Sequence, residues 1–135
     1  LPLIINFVSY FRQGVADRYP NLRIGFMEGG AGWLAFVLDR IAREDEYRPR
    51  DSKVDAVEWL QSGRVLIGCE GSEATLGHLV DRVGATPFAY ASDYPHEVDA
   101  QSAEEEIDEL SQYPGLSEAD RAALLGGNAA RFFKV

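Results

Sequence analysis

A single cysteine, Cys69, leaves the 135-residue chain unable to close an internal disulfide. Nothing therefore points to an oxidising compartment, and the cytoplasm is the expected location. No uninterrupted apolar run approaches the roughly 20 residues that a membrane span needs, so an anchor in the bilayer is not expected. Positive charge is scarce: 13 Lys and Arg stand against 22 Asp and Glu, for a formal net charge of -9. Phosphate backbones are bound by clustered cations that release counterions, so nucleic acid is a poor partner for this chain. The opening LPLIINFVSYF has no initiator Met, no basic n-region and no small-residue cleavage site. It reads neither as a signal peptide nor as the start of a complete gene product, and a truncation is expected. What is present is the composition of a folded domain or a piece of one, 46% hydrophobic and 26% charged, which excludes a disordered tail.

Leu3, Ile4, Phe7, Val8, Phe11 and Val15 recur at helical spacing, which predicts a helix from about Leu3 to Tyr19. Pro20-Asn21 breaks it, and Leu22 to Met27 is an apolar run of strand length that ends at Glu28 and the turn Gly29-Gly30-Ala31-Gly32. Trp33, Leu34, Val37, Leu38 and Ile41 line one face of a second helix that fades near Glu46. A polar stretch with a Ser52-x-x-Asp55 capping signal and a short helix leads to a second strand, Arg64 to Cys69, ended by Glu70 and Gly71. Ser72 is placed to cap the next helix, built on Leu76, Leu79, Val80 and Val83 and stopped by Gly84. Pro87 to Ser92 is a third strand, ended by Asp93 and the turn Tyr94-Pro95-His96. Two capped helices, Ser102-x-x-Glu105 and Ser117-x-x-Asp120, precede the closing GGNAARFF. Helices alternate with strands apolar enough to be covered on both sides, so the expected class is α/β with a parallel sheet.

In such sheets the loops at the carboxyl ends of the strands converge on one rim, where helix N-termini also point. Each of the three strands ends in a carboxylate at that rim: Glu28, Glu70 and Asp93. Gathered carboxylates repel one another unless a metal or a proton neutralises them, which points to a divalent metal or a proton-transfer role. The plainer reading is that two of them, Glu28 and Glu70, cap helices or pair with an arginine. Cys69 has no CxxC and no histidine near it, and reads as a buried thiol. Trp33 either faces the substrate or begins the buried stripe of its helix, and is kept as a substrate-binding candidate. Gly29, Gly30 and Gly32 lack both the Gly-x-Gly-x-x-Gly spacing and a Walker lysine, so a nucleotide site is not expected.

ASDYPHEVD, at the end of the third strand, resembles the last-strand motif of the amidohydrolase-related family, the metal-dependent hydrolases and decarboxylases that include aminocarboxymuconate semialdehyde decarboxylase. PNLRIGFMEGGAGWLAFVLDRI resembles the family's sixth strand and following helix, RVLIGCEGSE its seventh strand, and LLGGNAARFFKV its closing helix. Taken in order, these blocks span nearly the whole chain. The resemblance implies that residues 1–135 are the C-terminal portion of a (β/α)8 TIM barrel, with about three parallel strands, six to eight, and their helices. It also implies that Asp93 is the strand-eight aspartate that binds the metal or a metal-bound water, whose pKa a metal lowers. Glu28 stands where many members have a strand-six histidine, and becomes a candidate catalytic residue or a pocket-shaping one. Glu70 and His96 are candidates for substrate contact. The family's His-x-His, or Glu-x-His, on the first strand and histidine on the fifth are not in this sequence, whose histidines are His78, on the polar side of a helix, and His96.

A TIM barrel needs eight strands and about 250 residues, so three strands cannot close one. The expectation is a fragment of a metal-dependent hydrolase or nonoxidative decarboxylase, inactive without the other strands, with zinc as the expected cofactor of the complete site. The substrate expected is a small molecule, a carboxylate or a cyclic compound. An open wedge of this kind exposes sheet edge, and self-association into a homo-oligomer is expected. The competing reading is a non-catalytic α/β interaction domain. A flavodoxin-like or receiver-like domain ranks last, because neither Lys53 nor Lys134 lies at a strand end.

Overall fold

A computed structural model describes residues 2–96 and 98–135. Leu1, and Glu97 of the ASDYPHEVD segment, lie outside the described residues. Three short strands, β1 (Ile24–Phe26), β2 (Val65–Cys69) and β3 (Phe88–Tyr90), form one sheet in the order β1-β2-β3. Both pairings are parallel, with Phe26 opposite Ile67 and Ile67 opposite Phe88. The helices are α1 (Pro2–Arg12), α2 (Val15–Arg18), α3 (Trp33–Asp45), α4 (Ala56–Gln61), α5 (Leu76–Val83), α6 (Ala100–Ser111), α7 (Glu118–Ala122) and α8 (Asn128–Phe133). Parallel neighbours require crossovers, and these are supplied by α3 with α4 and by α5. The expected parallel α/β arrangement is therefore what the chain adopts.

Side chains alternate across the sheet with period two. Phe26, Val65, Ile67, Cys69 and Phe88 enter the buried cluster shared with the helices. Of the intervening positions, Gly25, Gly68 and Ala89 are small and Leu66 is buried, and on their side Gly68 lies against Met27 and Ala91. Opposite them the core is aromatic: Phe7 meets Phe26 and Trp33 edge-on with ring centroids 5.1 Å apart, and Tyr10 stacks on Trp59 at 5.2 Å. Such pairs contribute about 0.5–1.5 kcal/mol each beyond the area they bury.

Several local expectations are corrected. The single helix expected from Leu3 to Tyr19 is two, because Gly14 adopts φ 68° between them and ends the first. Ser52 does not cap α4. It is buried and its hydroxyl donates to Asp17 Oδ2 at 2.8 Å, while Asp55 is the cap and accepts from the N–H groups of Val57 and Glu58. Ser72 does not cap α5, whose N-cap is Thr75 with no side-chain bond. Asp99, not Ser102, caps α6, accepting from Ser102 N–H at 2.8 Å. A carboxylate just upstream outcompetes the serine because its bonds to backbone N–H are charge-assisted. Ser117 and Asp120 do form the expected reciprocal capping box on α7. Gly84 ends α5 at φ 77°, and its N–H donates to Val80 O. The closing helix is held by Asn128, 3% exposed, whose amide donates to the carbonyls of Ala85 and Phe88 at 2.7 Å each.

Candidate functional site

Parallel pairing puts the carboxyl ends of the three strands on one rim. There the chain leaves β1 through Met27-Glu28, β2 through Glu70-Gly71, and β3 through Ala91-Ser92-Asp93. A groove of about 480 Å³ opens between these exits, lined by Met27, Glu28, Gly30, Gly68, Cys69, Glu70, Ala91, Asp93, Tyr94 and His96. Glu28, Glu70, Asp93 and His96, read separately from the sequence, are thus brought to one groove, and all four side chains are exposed there.

Two of the three acids sit on unusual backbone. Glu28 has φ 59° and Asp93 φ 60°, in the left-handed region that L-residues enter at a cost of about 1–2 kcal/mol. Asp tolerates this conformation better than Glu does. At Asp93 the turn is closed locally: His96 N–H donates to Asp93 O at 2.9 Å, and His96 Nδ1 lies 3.2 Å from Asp93 Oδ1. Glu70 titrates above the ordinary carboxylate range, first because of partial burial and then because the negative charges of Glu73, Glu106 and Asp93 oppose its own. Burial, reinforced by Glu73, pushes the Cys69 thiol up to about 12, so it is not a thiolate nucleophile at neutral pH and the buried-thiol reading stands.

Trp33 is not brought into the groove. Its indole N–H donates to Gly30 O at 2.8 Å and its ring packs on Phe7, so it serves the core and a separate shallow hollow beside α1. His78 is exposed on α5. The sequence reading missed Glu73, whose carboxylate accepts from the N–H groups of Ala31, Gly32 and Glu70. Its signal was the glycine-rich loop itself: N–H groups converging at a helix start call for an anion, and with no phosphate motif an acid of the same chain supplies it.

Among the described residues, no group of three or more His, Cys, Asp and Glu side chains is disposed to hold a metal ion. The residues present do not make a metal set by themselves. Asp93 and His96, adjacent and exposed, fall short of the three protein ligands of a catalytic zinc site. No helix of the described chain is long and apolar enough to cross a membrane.

A family profile described as Amidohydrolase matches residues 2–135. No curated protein matches. Among solved structures, an amidohydrolase of Mycobacterium avium subsp. paratuberculosis is similar over 93% of this chain and 31% of its own, with a TM-score of 0.76 and 26% identity. The apo form of the Metarhizium anisopliae IDCase is similar over 98% of this chain and 39% of its own, with a TM-score of 0.71 and 20% identity. The 5-carboxyvanillate decarboxylase of Novosphingobium aromaticivorans, solved with bound manganese and a substituted nitrobenzoic acid, covers the same shares with a TM-score of 0.69 and 21% identity. The chain therefore spans between 31% and 39% of the length of these structures and matches only that part of each. Its three parallel strands, their order along the chain and the family profile over residues 2–135 agree: the chain belongs to the amidohydrolase family.

Proposed function

We propose that the chain forms one wall of the active site of a metal-dependent hydrolase or nonoxidative decarboxylase that acts on a small-molecule substrate, a carboxylate or a cyclic compound. The observation that carries this is the convergence of Glu28, Glu70, Asp93 and His96 on one groove at the strand ends. Left-handed backbone at Glu28 and Asp93 supports it further, since strain of that kind gathers where side chains must be aimed.

In this reading Asp93 is the chain's candidate ligand for a divalent metal, and the remaining ligands come from outside residues 2–135. The family resemblance implies zinc, whereas the related 5-carboxyvanillate decarboxylase structure holds manganese. Glu28 faces the groove as a proton acceptor, and Glu70 and His96 contact the substrate. Trp33 supports the floor of the loop by holding the Gly30 carbonyl. Turnover requires the complete gene product.

The test is a substrate screen of the complete gene product, scoring carbon dioxide release from aromatic carboxylates separately from C–N and C–O hydrolysis. Turnover that falls by about 10²-fold or more in Asp93→Asn and in Glu28→Gln is expected, the size usual for a proton-transfer group. Equal activity in both variants and wild type would refute the roles given to these residues.

A second reading, a non-catalytic α/β domain that self-associates, draws on the edge of β1. That strand pairs on one side only, and a hollow of about 540 Å³ lined by Leu3, Asn6, Tyr10 and residues 24–27 runs beside it. A discrete oligomer with no turnover and no bound metal would favour this reading.

A further inference from the structure

Glu73 stands at the same rim but is not among the residues lining the groove. Its Oε1 accepts from Ala31 N–H and from Glu70 N–H, both at 2.9 Å, and its Oε2 accepts from Ala31 N–H and Gly32 N–H, both at 2.8 Å. Ala31 and Gly32 belong to the loop that starts at Glu28, and Glu70 is the groove acid at the end of β2. One carboxylate therefore ties together the loops that carry two of the three groove acids.

The loop from β1 needs such a tie. Glu28 and Gly30 both hold left-handed backbone, at φ 59° and 58°, which the loop does not favour unaided at a glutamate. A Cβ on Gly30 would lie 3.1 Å from Glu73 Oε1, so the loop closes tightly over the carboxylate. Three N–H groups meet two oxygens, and charge-assisted bonds of this sort are roughly twice as strong as neutral ones. Glu73 is in turn held from behind, because the Tyr113 hydroxyl donates to the Glu73 carbonyl at 2.7 Å.

We propose that Glu73 is a positioning residue for the groove: its carboxylate sets where Glu28 and Glu70 stand relative to each other, and the Tyr113 hydroxyl sets Glu73. The functional side of this rests on the reading of the groove as an active-site wall; the structural side does not. Glu73→Ala removes the whole tie. Glu73→Gln keeps one acceptor oxygen and turns an N–H₂ toward a backbone donor, so it breaks the tie in part.

The experiment uses the complete gene product with Glu73→Ala, Glu73→Gln and Tyr113→Phe. Amide hydrogen exchange is followed at Ala31, Gly32, Glu70 and the β2 residues, alongside kcat and KM for a substrate found by the screen. In Glu73→Ala, exchange at Ala31, Gly32 and Glu70 is expected to quicken about tenfold or more while β2 keeps its protection, as loss of charge-assisted bonds dictates. The same variant is expected to lose about tenfold or more in kcat with KM within about threefold, with Glu73→Gln and Tyr113→Phe in between. Unchanged exchange at the three amides overturns the proposal. So does equal loss of protection in β2, which marks a general loosening of the fold, and so does an unchanged kcat. If no substrate is turned over, the active-site reading fails, and the amide exchange still decides for or against the tie.

Discussion

Glu28 and Asp93 carry exposed carboxylates, that of Asp93 beside His96 Nδ1, yet both residues are held at positive φ at a backbone cost. The conformation is a measurable property apart from any activity. Glycine enters it freely and alanine does not, so Glu28→Gly is expected to be more stable than Glu28→Ala by about 1 kcal/mol in urea unfolding. Equal stability, or an advantage for alanine, would contradict the left-handed placement. Glu70 gives a second test at this scale. Its pKa lies above the unfolded value, so the folded state binds that proton more tightly; its contribution to stability is present below about pH 4.5 and is lost as pH rises through the folded pKa. Glu70→Gln is therefore expected to be more stable than wild type at pH 7 and equal to it near pH 4, by urea unfolding at both values. The opposite order would show that a cation, not its acidic neighbours, dominates its surroundings. The acids themselves were legible in the sequence, because an apolar strand that stops at a carboxylate announces its own end. The glycine-rich loop called for an anion, but which acid supplies it was not legible, since the partners Ala31 and Gly32 lie 42 and 41 positions from Glu73 and are backbone groups, which carry no residue-type signal.

Among the elements, β1, β2 and β3 and helices α3, α5 and α7 follow from apolar periodicity and the capping box, whereas the caps that start α4, α5 and α6 do not. Ser52 had the right spacing for a cap, but Asp17 on α2 takes its hydroxyl, a long-range competitor that local pattern cannot reveal. Asp17 illustrates the balance: burial works to raise its pKa, and the hydrogen bonds from Ser52 and from the backbone together bring it below the usual value. Ser52→Ala and Asp17→Asn should be non-additive by about 0.5–1 kcal/mol in a double-mutant cycle, while Ser52→Ala and Asp55→Ala should add. Additivity of the first pair would show the bond carries no energy. The closing helix depends on a buried amide. Asn128→Ala removes two hydrogen bonds to the carbonyls of Ala85 and Phe88 and is expected to cost about 2–3 kcal/mol, read from the urea midpoint at constant slope. A change under about 0.5 kcal/mol would mean that α8 docks through its phenylalanines instead.

As a whole molecule the chain is a wedge of three parallel strands with its acids on one rim, covering 31% of the length of the related mycobacterial amidohydrolase. Each strand exit contributes one carboxylate to the groove, yet among the described residues these side chains are not disposed to hold a metal ion together. The most direct measurement is the metal content of the complete gene product, purified as wild type and as Asp93→Asn and checked for equal folding by circular dichroism. About one divalent ion per wild-type chain, with a clear loss in Asp93→Asn, is the predicted result. Equal metal content in the two proteins, or none in the wild type under metal-replete conditions, would contradict the role given to Asp93 and with it the reading of this rim as one wall of a metal-dependent site.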